Sequence, residues 1–242
     1  MRRLFPLLLI LFTGSAISQI KDPKATEVWE PVPEKISTGE IGSAPSDAII
    51  LFNGSNLDQW KGKQKDSDAA WKVENGYMEV VRGSGAIQTR EKFGDIQLHI
   101  EWSSPTEIVS EGQGRGNSGI FLQQRYELQV LDSYDNSTYA NGQAGAIYKQ
   151  TIPLVNATVA PGQWNIYDII YRAPVFNGDG IKVRSAYITV LHNGVLIQNH
   201  TEISGTTEYI GLPTNKAHGK DSIELQDHFN PVRYRNIWVR PL

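Results

Sequence analysis

The sequence predicts an all-β fold, one sandwich or jelly roll of antiparallel strands. Three observations predict it. Short apolar runs recur every ~8–15 residues, with Gly, Asn and Pro between them. The clearest run alternates strictly, with Ile96, Leu98, Ile100 and Trp102 on one face and Gln97, His99 and Glu101 on the other, as in a half-buried strand. No stretch places apolar residues at helical spacing over three turns.

The elements follow in order. Residues 48–52 form the first strand, and Asn53-Gly54 turns the chain. Leu57 and Trp60 lie just beyond, and 61–68 is polar and reads as a loop. Residues 71–74 and 77–81 flank Asn75-Gly76, a two-residue hairpin turn. Residues 86–89 are short and extended, and 95–102 is the alternating strand. A polar loop to Gly116 leads into N-S-G-I-F-L-Q-Q-R-Y-E-L-Q-V-L-D (117–132), two strands joined by a polar turn. Residues 146–149, 164–171, 186–191, 195–198, 208–212, 222–226 and 232–239 complete the predicted strands. Asn193-Gly194 joins one pair as a hairpin.

Composition narrows the function. The hydrophobic fraction is 40% and the charged fraction 20%, which fits a folded globular chain. Net charge is -3 with no basic run, which argues against a nucleic-acid partner. There is no cysteine, so disulfides, thiolate catalysis and Cys-ligated zinc are excluded. Residues 1–18 read as a signal peptide: Arg2 and Arg3, an apolar run from Leu4 to Phe12, then Ala16-Ile17-Ser18. The run is too short for a permanent membrane span, so the expected location is secreted or periplasmic. Residues 19–46 carry Pro23, Pro31, Pro33 and Pro45 and read as a linker or surface arm. Residues 47–242 are the expected domain.

No G-x-S-x-G, phosphate-binding loop or H-E-x-x-H motif is present, and the five His show no metal-ligand spacing. A loop-bound Ca²⁺ or other divalent ion leaves no spacing signature, so the cofactor question stays open. Carboxylates and aromatics remain. On the strand 126–130, Leu128 and Val130 point one way, and Glu127 and Gln129 the other. Asp132 lies five residues beyond Glu127, so it shares that face only through a bulge or turn. Asn117 precedes the first strand of the pair, and Gln226 and His228 end a later strand in a polar cluster. Trp71, Tyr148 and Trp164 are candidate sugar platforms. Each has a plain structural alternative: a solvated strand residue for Glu127, a turn cap for Asp132, core or rim packing for the aromatics, and a surface histidine for His228.

Nine segments in order resemble a known family. They are L-F-N-G-S-N-L-D-Q-W (51–60), W-K-V-E-N-G (71–76), N-S-G-I-F-L (117–122), Y-E-L-Q-V-L-D (126–132), G-A-I-Y (145–148), G-Q-W-N (162–165), H-N-G-V (192–195), I-E-L-Q-D-H (223–228) and Y-R-N-I-W-V (234–239). Their order and spacing resemble the 3-keto-disaccharide hydrolase domain family. The resemblance implies a concanavalin A-like jelly roll of two antiparallel sheets, with a carbohydrate partner. Many members carry Arg soon after N-S-G-I-F-L, where this chain has Gln123, with Arg125 as the available substitute.

The chemistry implied is proton abstraction beside a ketone. A carbonyl at C3 acidifies the C2 hydrogen, a base removes it, and the C1 oxygen leaves by elimination. Water then adds to complete net hydrolysis. Such a route needs a base near neutral pKa and an enolate stabiliser. On this reading Glu127 is the base, with His228 as its alternative. Asn117, Gln129, Asp132 and Gln226 contact the substrate, and Tyr148, Trp71 or Trp164 stacks on the ring. A non-catalytic lectin-like module of the same fold is the competing expectation, because the sandwich hosts both. A conventional glucanase is disfavoured by the lack of a second strand carboxylate beside Glu127.

Overall fold

The structure, a computed structural model, describes residues 21–64 and 67–242. The signal-peptide reading of residues 1–18 lies outside the described residues. The described residues fall into two compact units, 21–35 and 36–242. In the first, a 3₁₀ turn at Pro23–Thr26 is capped by the Asp22 carboxylate. Among the described residues the second unit holds every strand.

Among the described residues fifteen strands form: β1 (Ile49–Phe52), β2 (Trp60–Gly62), β3 (Lys72–Glu74), β4 (Tyr77–Glu79), β5 (Ile87–Thr89), β6 (Ile96–Ser103), β7 (Ser118–Leu122), β8 (Tyr126–Val130), β9 (Asn165–Arg172), β10 (Val175–Phe176), β11 (Lys182–Arg184), β12 (Ala186–His192), β13 (Val195–Ile203), β14 (Glu224–Leu225) and β15 (Arg233–Pro241). They build an antiparallel jelly-roll sandwich. One sheet has eight strands in the order β13-β12-β9-β6-β15-β4-β3, with β1 beside β15. The other has five, in the order β2-β5-β14-β7-β8, and β10 and β11 pair as a separate ribbon.

Three expectations need correction. Residues 61 and 62, read as the start of the 61–68 loop, join Trp60 in β2 against β5. Residues 146–149 and 208–212 are not strands. The first is a run of turns joined to β8 by one bridge, Leu128 to Ile147. The alternating strand at β6 is also buried on both faces. His99 and Glu101 are covered by Trp238, whose ring stacks on His99 at 5.2 Å, and by Asn236, which donates 2.8 Å to Glu101 and 2.9 Å to the Gly42 carbonyl.

The core lies between the sheets and is aliphatic and aromatic: Leu98, Ile100, Trp102, Tyr167, Tyr171 and Tyr234 from the large sheet, and Ile120, Leu128, Val130 and Leu225 from the small one. Three buried tyrosines cross it. Tyr167 Oη donates to the Gln129 carbonyl at 3.0 Å, and Tyr171 Oη to Gln123 Oε1 at 2.8 Å. Tyr234 Oη donates to Ser118 Oγ at 2.7 Å, which in turn donates to the Gln226 carbonyl at 2.7 Å. A buried hydroxyl needs a partner, and here each partner lies on or just beyond β7, β8 or β14. The large sheet thus grips the small sheet from behind.

Candidate active site

The outer face of the small sheet carries the site. Register fixes one row of side chains across it: Lys61 opposite Gln88, Gln88 opposite Glu224, Glu224 opposite Phe121, and Phe121 opposite Glu127. Directly paired residues share a face, so this row is a consequence of pairing alone. A cavity of about 530 Å³ opens over the β8 end of the row, within the roughly 300–1,000 Å³ range of small-molecule sites. Glu127, Gln129, Asn117, Tyr148, Gln226 and His228 all line it.

Glu127 is 5% exposed. Among the described residues no side chain hydrogen-bonds its carboxylate. Burial pushes the carboxyl up to about 8, and the charge of Glu224 adds to the shift. An ionised carboxylate without donors is disfavoured in a dry site. Space for it is made by Gly119, opposite Gln129 on β7. A Cβ there would stand 2.6 Å from Glu127 Oε1 and 2.9 Å from the Phe121 ring.

Loops close the cavity by bonding to the free edge of β8. Gly145 N–H donates to the Gln129 carbonyl, Gln129 N–H to Ala146, and Tyr148 N–H to Glu127, at 2.9, 3.0 and 3.2 Å. Thr207 Oγ1 accepts from Glu127 N–H at 3.0 Å. Tyr148 is thereby held beside the carboxyl. Its hydroxyl lies 2.6 Å from that of Tyr139. Burial, then the Tyr139 hydrogen bond, drives the Tyr148 phenol well above its usual value, so it keeps its proton. The Lys149 ammonium sits 4.3 Å from the Tyr209 ring centroid, 5.8 Å from that of Tyr139 and 5.7 Å from that of Tyr148.

Gln129 has a different part from the one expected. Its Nε2 already donates to Gln113 Oε1 at 3.0 Å and to the Gly142 carbonyl at 3.2 Å. The group left over is Oε1, a buried acceptor with no donor. Asn117 Nδ2 donates to the Gln113 carbonyl at 2.7 Å, so Gln113 organises both. His228 is exposed at the rim.

Three predicted substrate contacts lie elsewhere. Trp71 is 4% exposed, stacks on Tyr234 at 5.8 Å, and donates to the Gly85 carbonyl. It is a core residue. Trp164 packs under the Arg235 guanidinium, 4.1 Å from its centroid, and beside Tyr77, away from the cavity lining. Asp132 is buried and accepts from Arg115 Nε at 2.7 Å and from Tyr134 N–H. It fastens a loop. Gln123 and Arg125 are also remote from the cavity lining: the first bonds Phe93, Gly219 and Tyr171, and the second pairs with Asp221 at 2.8 Å.

Sequence reasoning missed Gln113, Phe121, Tyr139, Lys149, Thr207 and Tyr209 in the lining. Phe121 carried a signal, since it alternates with buried Ile120 and Leu122 and so points outward. The others arrive on loops without periodicity. Glu224 corrects the expectation of a lone carboxylate, although Lys63 Nζ pairs with it at 2.8 Å. No cluster of three or more His, Asp or Glu able to hold a metal ion occurs among the described residues.

The 3-keto-alpha-glucoside-1,2-lyase-like domain family matches residues 47–240. The chain belongs to this family. It is similar to a crystal structure at 2.13 Å from Parabacteroides distasonis ATCC 8503, described as a "putative glycosyl hydrolase". Identity is 52% and the TM-score 0.87, covering 91% of this chain and 97% of that one. Two further structures from the same organism carry the same description. They share 19% and 20% identity at TM-scores of 0.59 and 0.56, each over 81% of this chain and over 94% and 99% of theirs, and so speak to the fold alone. No match is found among curated proteins.

Proposed function

We propose that this family member is an exported enzyme that cleaves 3-keto-disaccharides or 3-keto-glucosides by eliminating the C1 substituent. The observation that carries the reading is Glu127. It is a buried carboxyl facing a cavity, without a hydrogen-bond partner among the described residues, and raised to about 8. A general base works best when its pKa lies near the operating pH. The family description and that of the 52%-identical structure support a glycoside-directed reaction. Export rests on the signal-like residues 1–18; among the described residues no helix is long and apolar enough to cross a membrane.

In this scheme Glu127 takes the C2 proton, and the electron pair moves into the C3 carbonyl as an enolate. The enolate reforms the ketone as the C1–O bond breaks, leaving a C1–C2 double bond and an alcohol. Tyr148, which keeps its proton beside Tyr139, donates to the developing oxyanion or to the leaving oxygen. Gln129 Oε1 and Gln226 accept from ring hydroxyls, and Asn117 and Gln113 hold Gln129 in place. His228, at the rim, is the alternative proton carrier.

The test compares wild type and Glu127→Gln on methyl 3-keto-glucoside and a 3-keto-disaccharide, with and without chelator. The expected result is a loss of about 100-fold or more in kcat, with calorimetric affinity within a few-fold. Release of deuterium from a C2-labelled substrate should vanish in parallel. Inert 3-keto-substrates with intact binding would instead favour a lectin-like module.

A further inference from the structure

The sheet face that carries Glu127 does not end at the first cavity. A second cavity, of about 520 Å³, is lined by Lys63, Gly83, Gly85, Glu224, Asp227 and Phe229. The two share one stretch of chain: Gln226 and His228 line the first, and Glu224, Asp227 and Phe229 the second. We propose that the second cavity is a sugar subsite that takes an uncharged ring joined to the ring held at Glu127.

Three independent features support this. The first is a set of buried oxygens without hydrogen-bond donors. Among the described residues Gln129 Oε1, Gln226 Oε1 and Gln88 Oε1 are such atoms. Glu224 is not among them, since Lys63 Nζ stands 2.8 Å from both of its oxygens. Gln88 and Glu224 are paired in register, and Gln226 lies two residues beyond Glu224, so these three share the site face. Gln129 lies two residues beyond Glu127 on the same face. Buried acceptors left without donors are rare and unfavourable. Three on one sheet face, spanning β8 to β5, call for a ligand that brings hydroxyl donors at several points along its length.

The second feature is Phe229. Its side chain is 60% exposed at the cavity wall, and its backbone is left-handed, with φ of 62°. Strained non-glycine positions persist where the surroundings hold them, and they cluster at ligand sites. Here Asp227 does the holding: Oδ1 accepts from Phe229 N–H at 2.9 Å, and Oδ2 from Gly85 N–H at 3.0 Å. An exposed aromatic face beside hydroxyl acceptors suits a pyranose, with its apolar C–H side against the ring.

Charge is the third. Among the described residues of this lining Glu224 and Asp227 outnumber the cation Lys63, so these residues disfavour an anionic unit such as a uronate. A flat phenolic aglycone would use Phe229 but leave the acceptors unmet. The preferred substrate class is therefore an oxidised disaccharide of neutral sugars. The proposal rests on the reading of Glu127 only in deciding which ring is cleaved.

The experiment measures kcat/KM on a neutral 3-keto-disaccharide and on methyl 3-keto-glucoside, for wild type, Phe229→Ala and Gln88→Leu. Each variant should lose at least fivefold more on the disaccharide than on the methyl glucoside. Equal losses on the two substrates overturn the subsite. Binding of the unoxidised disaccharide and its monosaccharide, followed by NMR titration, separates the two ideas. If no 3-keto-substrate reacts but Phe229→Ala still weakens disaccharide binding selectively, the elimination reading fails and the subsite stands. Turnover without any disaccharide selectivity leaves the reaction and removes the subsite.

Discussion

Two glutamates in this molecule occupy equivalent places and behave in opposite ways. Glu101 and Glu127 each sit on a strand, point away from the inter-sheet core, and are largely buried. Glu101, on the large sheet, accepts from Arg235 Nε at 2.6 Å and from Asn236 Nδ2 at 2.8 Å. His99 stands beside it and bonds Asp168 at 2.6 Å. Burial opposes its charge, but His99, Asn236 and Arg235 together hold Glu101 down at about 2. Glu127, on the small sheet, has burial and a like charge and no donor, and rises to about 8. Backbone placement is thus the same, and the neighbours decide whether a carboxylate braces the fold or waits for a ligand. Arg235 and Asn236, which bind Glu101, come from the adjacent strand β15. The strand beside Glu127, β7, sets Phe121 and Gly119 next to it, and neither offers a side-chain donor.

The largest test of this contrast is pH. If Glu127 must be ionised to act, kcat/KM should fall toward tenfold per pH unit well below 8, or about 50-fold between pH 8 and pH 6. A flat profile over that interval removes Glu127 as the base. Stability should move the other way. The folded state raises this carboxyl from 4.5 to about 8, so the native form binds the proton more tightly. Its contribution is full below pH 4.5 and is lost as pH rises through 8. Glu127→Gln should therefore gain on the order of 5 kcal/mol over wild type at pH 9 while losing turnover.

The second test removes the braced partner. Glu101→Ala should cost about 1–3 kcal/mol, less than a fully buried pair because Arg235 is partly exposed, and should leave kcat/KM unchanged. Glu101 stabilises above pH 4.5 and gives up that contribution as pH falls through about 2. His99 is raised from 6.5 to about 9, with burial opposing and the Asp168 and Glu101 hydrogen bonds prevailing. It stabilises below pH 6.5 and is lost as pH rises through 9. The whole network is intact between pH 4.5 and 6.5. Thermal midpoints across pH should show that plateau in a Glu127→Gln background, where the Glu127 slope is absent, and lose its alkaline shoulder when His99→Gln is added.

The contrast also shows what a sequence can carry. Alternation and Asn-Gly turns mark most strands, and strand periodicity alone sets Glu127 and Gln129 on one face. Their burial was not legible, because it comes from loops 139–148 and 207–209, which have no period. Asp132 illustrates the parity limit: five residues from Glu127, it faces Arg115 and not the cavity. Trp71 and Trp164 illustrate another. Aromatic type does not say whether a ring meets solvent, Tyr234 or Arg235. Gln129 marks a third, since only its bonds to Gln113 and Gly142 reveal that it presents an oxygen.

The smallest effect tests whether the two sheets are coupled. Tyr234 Oη reaches Ser118 Oγ, which reaches the Gln226 carbonyl at the cavity wall. Tyr234→Phe deletes one buried hydrogen bond and leaves the ring stacked on Trp71, so its stability cost should be about 1 kcal/mol. Ser118 keeps its bond to Gln226, which predicts a KM within about twofold of wild type. Ser118→Ala cuts the chain at its centre and strands both the buried Tyr234 hydroxyl and the Gln226 carbonyl. It should cost more stability than Tyr234→Phe and also raise KM, because Gln226 loses the contact that fixes its backbone. Identical KM values for the two variants would mean that the small sheet holds Gln226 unaided, by the Gln226 N–H bond to Gly119. The grip of the large sheet would then serve stability alone.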